Sequence, residues 1–214
     1  MIPIEQIISV PLDLPKFEPD SWSDFWRVWN EDAKIFKRHH PDANGNGQAE
    51  PGWKGFVWEI TGNKDIPMFI TTIKDYSDVF PKLRAQIDAL PFTTHRIQFI
   101  SNYIPIGEHR DGLYLTKDTI VGPTAPRIMF YDANSEPTFY YTKKRVDGKK
   151  YYQTLPEDTN SFAFDNDRTY HGAVYVNRLK IMCSLVISNI DSLAWTELLQ
   201  RSTEKYQSYC ITHS

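Results

Sequence analysis

From Thr93 to Ser188 the chain is a succession of short runs dense in β-branched and aromatic residues, each closed by a turn signal: RIQFISNYI, APRIMFYD, TFYYTKK, KKYYQTL, SFAFD and LKIMCSLVIS. Runs of this length and spacing predict a β-sandwich or barrel. Between TKKRV and KKYYQ stands Asp147-Gly148, a pair that tolerates positive φ in a tight turn and so marks a hairpin.

Helical patterns flank this region. From Ser21 to about Lys37, Trp22, Phe25, Trp26, Trp29, Ala33 and Phe36 recur at three- and four-residue intervals, as one buried helix face requires. Asp20 or Ser21 would cap that helix. Residues 39–53, with NGNG at their centre, read as a long loop, and His39 and His40 at its start read as a solvated pair. GWKGFVWEI and DIPMFITTI look like strands. Asp75 to Leu90 looks like a second helix interrupted near its start by Pro81. Asp191 to about Tyr209, with Leu193, Leu198, Leu199 and Tyr206, should form a closing helix.

No internal repeat or dividing linker is visible, so one domain over 1–214 is expected. Residues 1–92 would serve as helix-and-strand support, 93–190 as the β core and 191–214 as a closing helix. The fold class is mainly β with flanking helices.

Composition narrows the function. A formal charge of -3 disfavours general nucleic-acid binding, which rests on Lys and Arg displacing counterions. The two cysteines, Cys183 and Cys210, form no CxxC or zinc-ligand spacing, which fits a reducing cytoplasm. The opening MIPIEQIISVPLDLP has no basic head and no long apolar run, and no stretch approaches a membrane span, so neither export nor membrane insertion is expected. Aromatic residues make up 14% of the chain, with six Trp, so much of the core should consist of large flat side chains.

The chemistry centres on GEHRDG, where His109 and Asp111 lie two apart. In extended backbone such residues point to one side, so an imidazole and a carboxylate can meet one metal ion. An isolated HxD is a weak signal. It is strengthened by His171, which follows the strand-like SFAFDNDRTY after enough chain for several strands to pass and return. Two imidazoles and a carboxylate on one face of an octahedral iron leave three positions open for a bidentate co-substrate and O2. The next run, NRLKIMCSLVI, begins with Arg178 and Lys180 on one face of an apolar strand, a costly placement unless an anion is met. The distal carboxylate of 2-oxoglutarate is such an anion, with Lys180 the first choice as anchor and Arg178 the second. Arg127, opening APRIMFYD, is a further candidate for co-substrate or substrate contact, with a surface salt bridge as its alternative. Ser101 and Tyr103, which share a face of RIQFISNYI, would add hydroxyls to the same pocket.

The order HxD, distal His, then a basic residue on the next strand resembles the Fe(II)/2-oxoglutarate-dependent dioxygenase superfamily. Within it, NYIPIGEHRDG is similar to the segment entering the metal site of prolyl hydroxylases. SFAFDNDRTYHGAVYVNRLKIMCSLVI is similar to the phenylalanine-aspartate, histidine and arginine-strand segment of aspartyl/asparaginyl β-hydroxylases. Residues 96–190 carry the resemblance. Two departures stand out: Asp111 is present where the β-hydroxylases often lack a carboxylate ligand, and Arg127 is followed by Met129 where they tend to show Arg-x-His.

The resemblance implies a double-stranded β-helix, a cupin-like jelly roll, with His109, Asp111 and His171 as ligands and Lys180 or Arg178 holding 2-oxoglutarate. It further implies hydroxylation of a C–H bond of a peptide or amino-acid side chain, with Fe(II), O2 and 2-oxoglutarate consumed or bound, ascorbate supportive, and succinate and CO2 released. The competing expectations are a cupin-like metal-binding jelly roll without oxygenase activity, zinc in the same site, or an oxygenase acting on a nucleobase or small metabolite. The lysine-rich hairpin TKKRVDGKKYY reads as a solvated turn, with a basic lid over an acidic substrate as its alternative.

Overall fold

The computed structural model describes residues 2–39, 49–61, 73–110, 122–133, 135–143, 148–166 and 168–213. In chain order the elements are β1 (Ile7–Pro11), α1 (Trp22–Asp32), β2 (Lys34–His39), β3 (Ala49–Glu59), β4 (Ile73–Lys74), α2 (Pro81–Asp88), β5 (Thr93–Asn102), β6 (Ile106–His109) and β7 (Ala125–Tyr131). They continue as β8 (Phe139–Thr142), β9 (Tyr151–Tyr152), β10 (Ser161–Phe164), β11 (Tyr170–Ala173), β12 (Ile181–Ser188), α3 (Ser192–Lys205) and β13 (Ile211–Thr212). The fold is mainly β.

Two sheets account for the strands. The larger runs β13-β1-β10-β7-β12-β5-β3-β2, with β4 against β3, and the smaller runs β6-β11-β8-β9. Except for the parallel β3–β4 contact, every pairing is antiparallel. The alternation in β12 explains how the large sheet is covered. Ile181, Cys183, Leu185 and Ile187 join one core with Phe25, Val28 and Trp29 of α1, Leu83 and Ile87 of α2, and Trp195, Leu198 and Leu199 of α3. Met182, one step out of phase, packs on a second core in which Ile8, Ala125, Met129, Phe162 and Phe164 of the large sheet meet Phe139 and Tyr141 of the small one. The β1-β10-β7-β12 part of the large sheet is thus covered on both faces, by helices on one side and the small sheet on the other.

The helix-side core is built largely from rings. Phe56 and Phe99 stack at 4.7 Å, and Phe25 stands against Phe99 at 5.7 Å and Phe130 at 5.0 Å. Burying one such side chain contributes about 1.5–3 kcal/mol.

The first helix ends earlier than its apolar spacing predicts. Ser21 is the N-cap, its side chain accepting from the Asp24 amide, but the helix stops at Asp32 and Ala33 turns extended at ψ 124°. Lys34–His39 then form a strand against β3, with Lys34 opposite Gly55. Phe36 falls at a helical interval by coincidence, and long-range pairing overrides the local preference. Asp20 serves a different helix. Its carboxylate accepts from the amides of Lys82 at 2.9 Å and Leu83 at 3.2 Å, so it caps α2 from outside that helix. Helix α2 begins at Pro81 itself, where the missing N–H costs nothing. Most of DIPMFITTI and the Asp147 half of the hairpin lie outside the described residues, although β8 and β9 do pair, Tyr141 opposite Tyr151.

Candidate metal centre

Strands β6 and β11 bring His109 and His171 together. The two are direct partners in the ladder, and their rings lie 4.3 Å apart between centroids at 54°. Beyond His171 in the same small sheet stands its other partner, Tyr141. Because directly paired residues share a face, both imidazoles follow Tyr141 into the space between the sheets. His171 is 3% exposed. Its ring stacks on Phe139 at 5.5 Å and meets Phe164 edge-on at 4.8 Å, so two large-ring neighbours fix its plane.

A bulge makes this convergence possible. Ile106 pairs with Ala173 and His109 with His171, so β6 spends three steps where β11 spends two. Without the extra residue, Ile106 and His109 would point to opposite faces of the sheet. The His109 Nδ1 lies 2.9 Å from the Gly107 carbonyl. A carbonyl only accepts, so Nδ1 carries the proton and Nε2 is the ring nitrogen that would meet a metal. On the far side of the sheet, the Arg110 guanidinium lies over the Tyr170 ring at 4.2 Å, tying the residue after His109 to the residue before His171.

Asp111 lies outside the described residues. Among those described, no group of three or more His, Cys, Asp or Glu converges. The donor set that is present nonetheless suits a divalent transition metal, since two imidazoles face one another and the His109 tautomer is fixed by backbone.

The cationic candidates separate clearly. Lys180 stands one residue before β12, in step with the inward Met182, and is only 8% exposed. Its ammonium donates to the Glu136 carbonyl. Burial lowers its pKa below the ordinary lysine value and nearby Arg178 lowers it further, against the opposing pull of Asp132 and Glu136. Arg178 is half-exposed and paired with Asp132 at 3.2 Å, which makes it a surface ion pair. Arg127 alternates with Ala125 and Met129 on the inner face of β7 and is 7% exposed. Its guanidinium lies 5.1 Å from the centre of the Phe164 ring, the ring that touches His171, and donates to the Pro126 carbonyl at 3.0 Å.

The hydroxyl candidates do not join the imidazoles. Ser101 shares the β5 face of Ile97 and Phe99, which belong to the helix-side core. Tyr103 lies past the end of β5, 40% exposed, with its amide donating to the Gly52 carbonyl at 3.0 Å. A buried hydroxyl pair does extend from Tyr141, the ladder partner of His171, to Ser9. Tyr141 donates to Ser9 Oγ at 2.8 Å, and Ser9 Oγ donates to Gln153 Oε1, all buried. Burial raises the Tyr141 phenol pKa, opposed by its bond to Ser9 and by the Arg127 charge. Nothing local in β1 signals Ser9 as a partner of Tyr141, since the two meet only where the small sheet packs on the large one. Phe164 was legible as strand, but its role as the wall between Arg127 and His171 depends on packing.

The chain matches no protein-family profile, and no curated protein matches it at a significant level.

Proposed function

We propose that this protein is a non-haem Fe(II)- and 2-oxoglutarate-dependent oxygenase that hydroxylates a C–H bond of a peptide or amino-acid side chain. The observation that carries this reading is the pairing of His109 with His171, inward and ring to ring, from two strands far apart in the chain. The strand order adds support. Among the described residues, the chain from β5 to β12 passes between the large and small sheets repeatedly, with only β8 and β9 consecutive in one sheet, an order that favours a jelly-roll double-stranded β-helix.

In this reading His109 and His171 hold the iron together with Asp111. The bound iron supplies the coupling of 2-oxoglutarate decarboxylation, to succinate and CO2, with insertion of one oxygen atom from O2 into substrate. The remaining work falls to the chain. Phe139 and Phe164 wall His171 on its buried side and exclude water there. Lys180 is the favoured holder of the distal co-substrate carboxylate, because a buried cation in step with the inward face gains most from an anion. Arg127 is the other inward cation, and Arg178 fits the role less well because Asp132 already engages it at the surface.

The test uses purified protein with Fe(II), ascorbate and 2-oxoglutarate. Succinate release is expected from the wild type and should be abolished by His109→Ala, Asp111→Ala or His171→Ala. A weak visible absorption band should appear when 2-oxoglutarate is added anaerobically to the Fe(II) protein. If neither signal appears while metal still binds, a metal-binding jelly roll without oxygenase chemistry is the better description.

A further inference from the structure

The outer face of the small sheet carries an arrangement whose position suits it to one purpose. Tyr140 on β8 pairs with Gly172 on β11, and its hydroxyl reaches beyond that residue to Glu108 Oε1 on β6 at 3.1 Å, with the Ile106 carbonyl at 3.4 Å. Gly172 is what lets the ring pass. A Cβ there would lie 2.5 Å from the Ile106 carbonyl oxygen and 2.6 Å from the Tyr140 hydroxyl, closer than any real side chain tolerates. Lys150 completes the set, with its ammonium 4.3 Å from the centre of the Tyr140 ring and 3.5 Å from Glu108. Tyr140 itself is buried, on the opposite face from the imidazoles.

Every member of this set is next to the site in sequence or in space. Glu108 precedes His109 and lies in the bulge, Gly172 follows His171, and Tyr140 precedes Tyr141, the ladder partner of His171. The bulge is the step at which β6 could slip, and a slip by one residue would turn His109 away from the interior. We propose that Tyr140, reaching over Gly172 to Glu108 with Lys150 closing the contact, is a clasp that locks the β6 bulge and so positions His109 beside His171. Tyr140, Glu108 and Lys150 are positioning residues; none touches the space where a metal or substrate would sit. The proposal rests on the iron-site reading only for its functional consequence, since the clasp itself acts on the two rings.

Two measurements separate the clasp from the metal reading. In metal-free protein, the imidazole protons of His109 and His171 should give a ring-to-ring NOE, and anaerobic Co(II) titration should report site affinity. Tyr140→Phe and Glu108→Ala should each lose the NOE and weaken Co(II) binding roughly tenfold or more, in keeping with the loss of a group that orients a ligand. Glu108→Gln, which keeps an acceptor oxygen at the same reach, should remain near the wild type in both. If both disruptive variants keep the NOE and wild-type affinity, the clasp is overturned. If the wild type gives the NOE yet binds no Co(II), the iron reading fails, and loss of the NOE in the variants still upholds the clasp. Should Tyr140→Phe fail to fold, the contrast between Glu108→Ala and Glu108→Gln decides.

Discussion

His109 and His171 are ladder partners at the point where β6 leaves its bulge, and each is followed or preceded by an outward residue that ties the two strands together on the other face. In the proposed metal site, this pairing would make the two rings one ligand unit rather than two independent groups.

Metal binding should therefore be strongly non-additive. A divalent metal such as Co(II) at about one hundred times its dissociation constant should stabilise the wild type by about 2.7 kcal/mol. His109→Ala and His171→Ala should each remove nearly all of that stabilisation, and the double variant should lose no more than either alone. Thermal melts with and without metal measure this directly. Additive losses would mean that the rings do not share an ion.

The buried position of Lys180 predicts a selective kinetic effect. Lys180→Ala should raise the KM for 2-oxoglutarate at least tenfold, about 1.4 kcal/mol, while kcat for bound co-substrate changes little. Arg178→Ala should have a small effect, because that guanidinium is half-exposed and paired with Asp132. Burial lowers the Lys180 pKa, so its charge, and with it co-substrate affinity, should fall at a lower pH than an ordinary lysine would dictate. Steady-state profiles across the alkaline range test both statements.

Phe25 is the hub of the helix-side core. Fully buried, it meets Trp22, Trp26, Trp29, Phe56, Phe80, Phe99 and Phe130. Phe25→Ala should cost about 3–5 kcal/mol in urea unfolding, from lost transfer energy and an unfilled cavity. A loss below about 1 kcal/mol would show that the helices contribute little to the sheet they cover.

Asp32, at the end of α1, accepts from Lys74 and from the Tyr76 hydroxyl at 2.9 Å. Burial acts to raise its pKa, but these two bonds and the Lys74 charge outweigh it and hold the carboxyl below its ordinary value. A depressed folded-state pKa means stability that is present above the unfolded carboxylate pKa and lost as pH falls through the folded one. Asp32→Asn should thus lower stability by about 1–2 kcal/mol at neutral pH. The gap should close in acid, below the ordinary carboxylate range, as paired chemical denaturation at neutral and acid pH can establish.

Much of this architecture was legible from residue order because the strands obey simple alternation. In β12, Ile181, Cys183, Leu185 and Ile187 face one way and Met182 and Ser184 the other, while the run reads as strand from its density of apolar and β-branched residues. What alternation does not say is which covered face holds the site. Ser101 lies on the helix side of β5, with Ile97 and Phe99. The HxD and the distal histidine could be picked out by residue type and order. Their parity was not legible, since it depends on a bulge whose partner strand and register Gly107 alone does not fix. Phe36 shows the converse failure, a residue at perfect helical spacing whose strand is dictated by pairing with Trp53 of β3.

Strand β1 lies one strand in from the edge of the large sheet, between β13 and β10, and Ser9 stands opposite Phe164, far along the chain. During synthesis, therefore, the amino-terminal strand emerges long before either neighbour exists and must wait as an unpaired apolar segment. Closing so large a loop is entropically slow, so the sandwich is completed late, and the imidazoles meet in their final setting only once nearly all of this chain has left the ribosome.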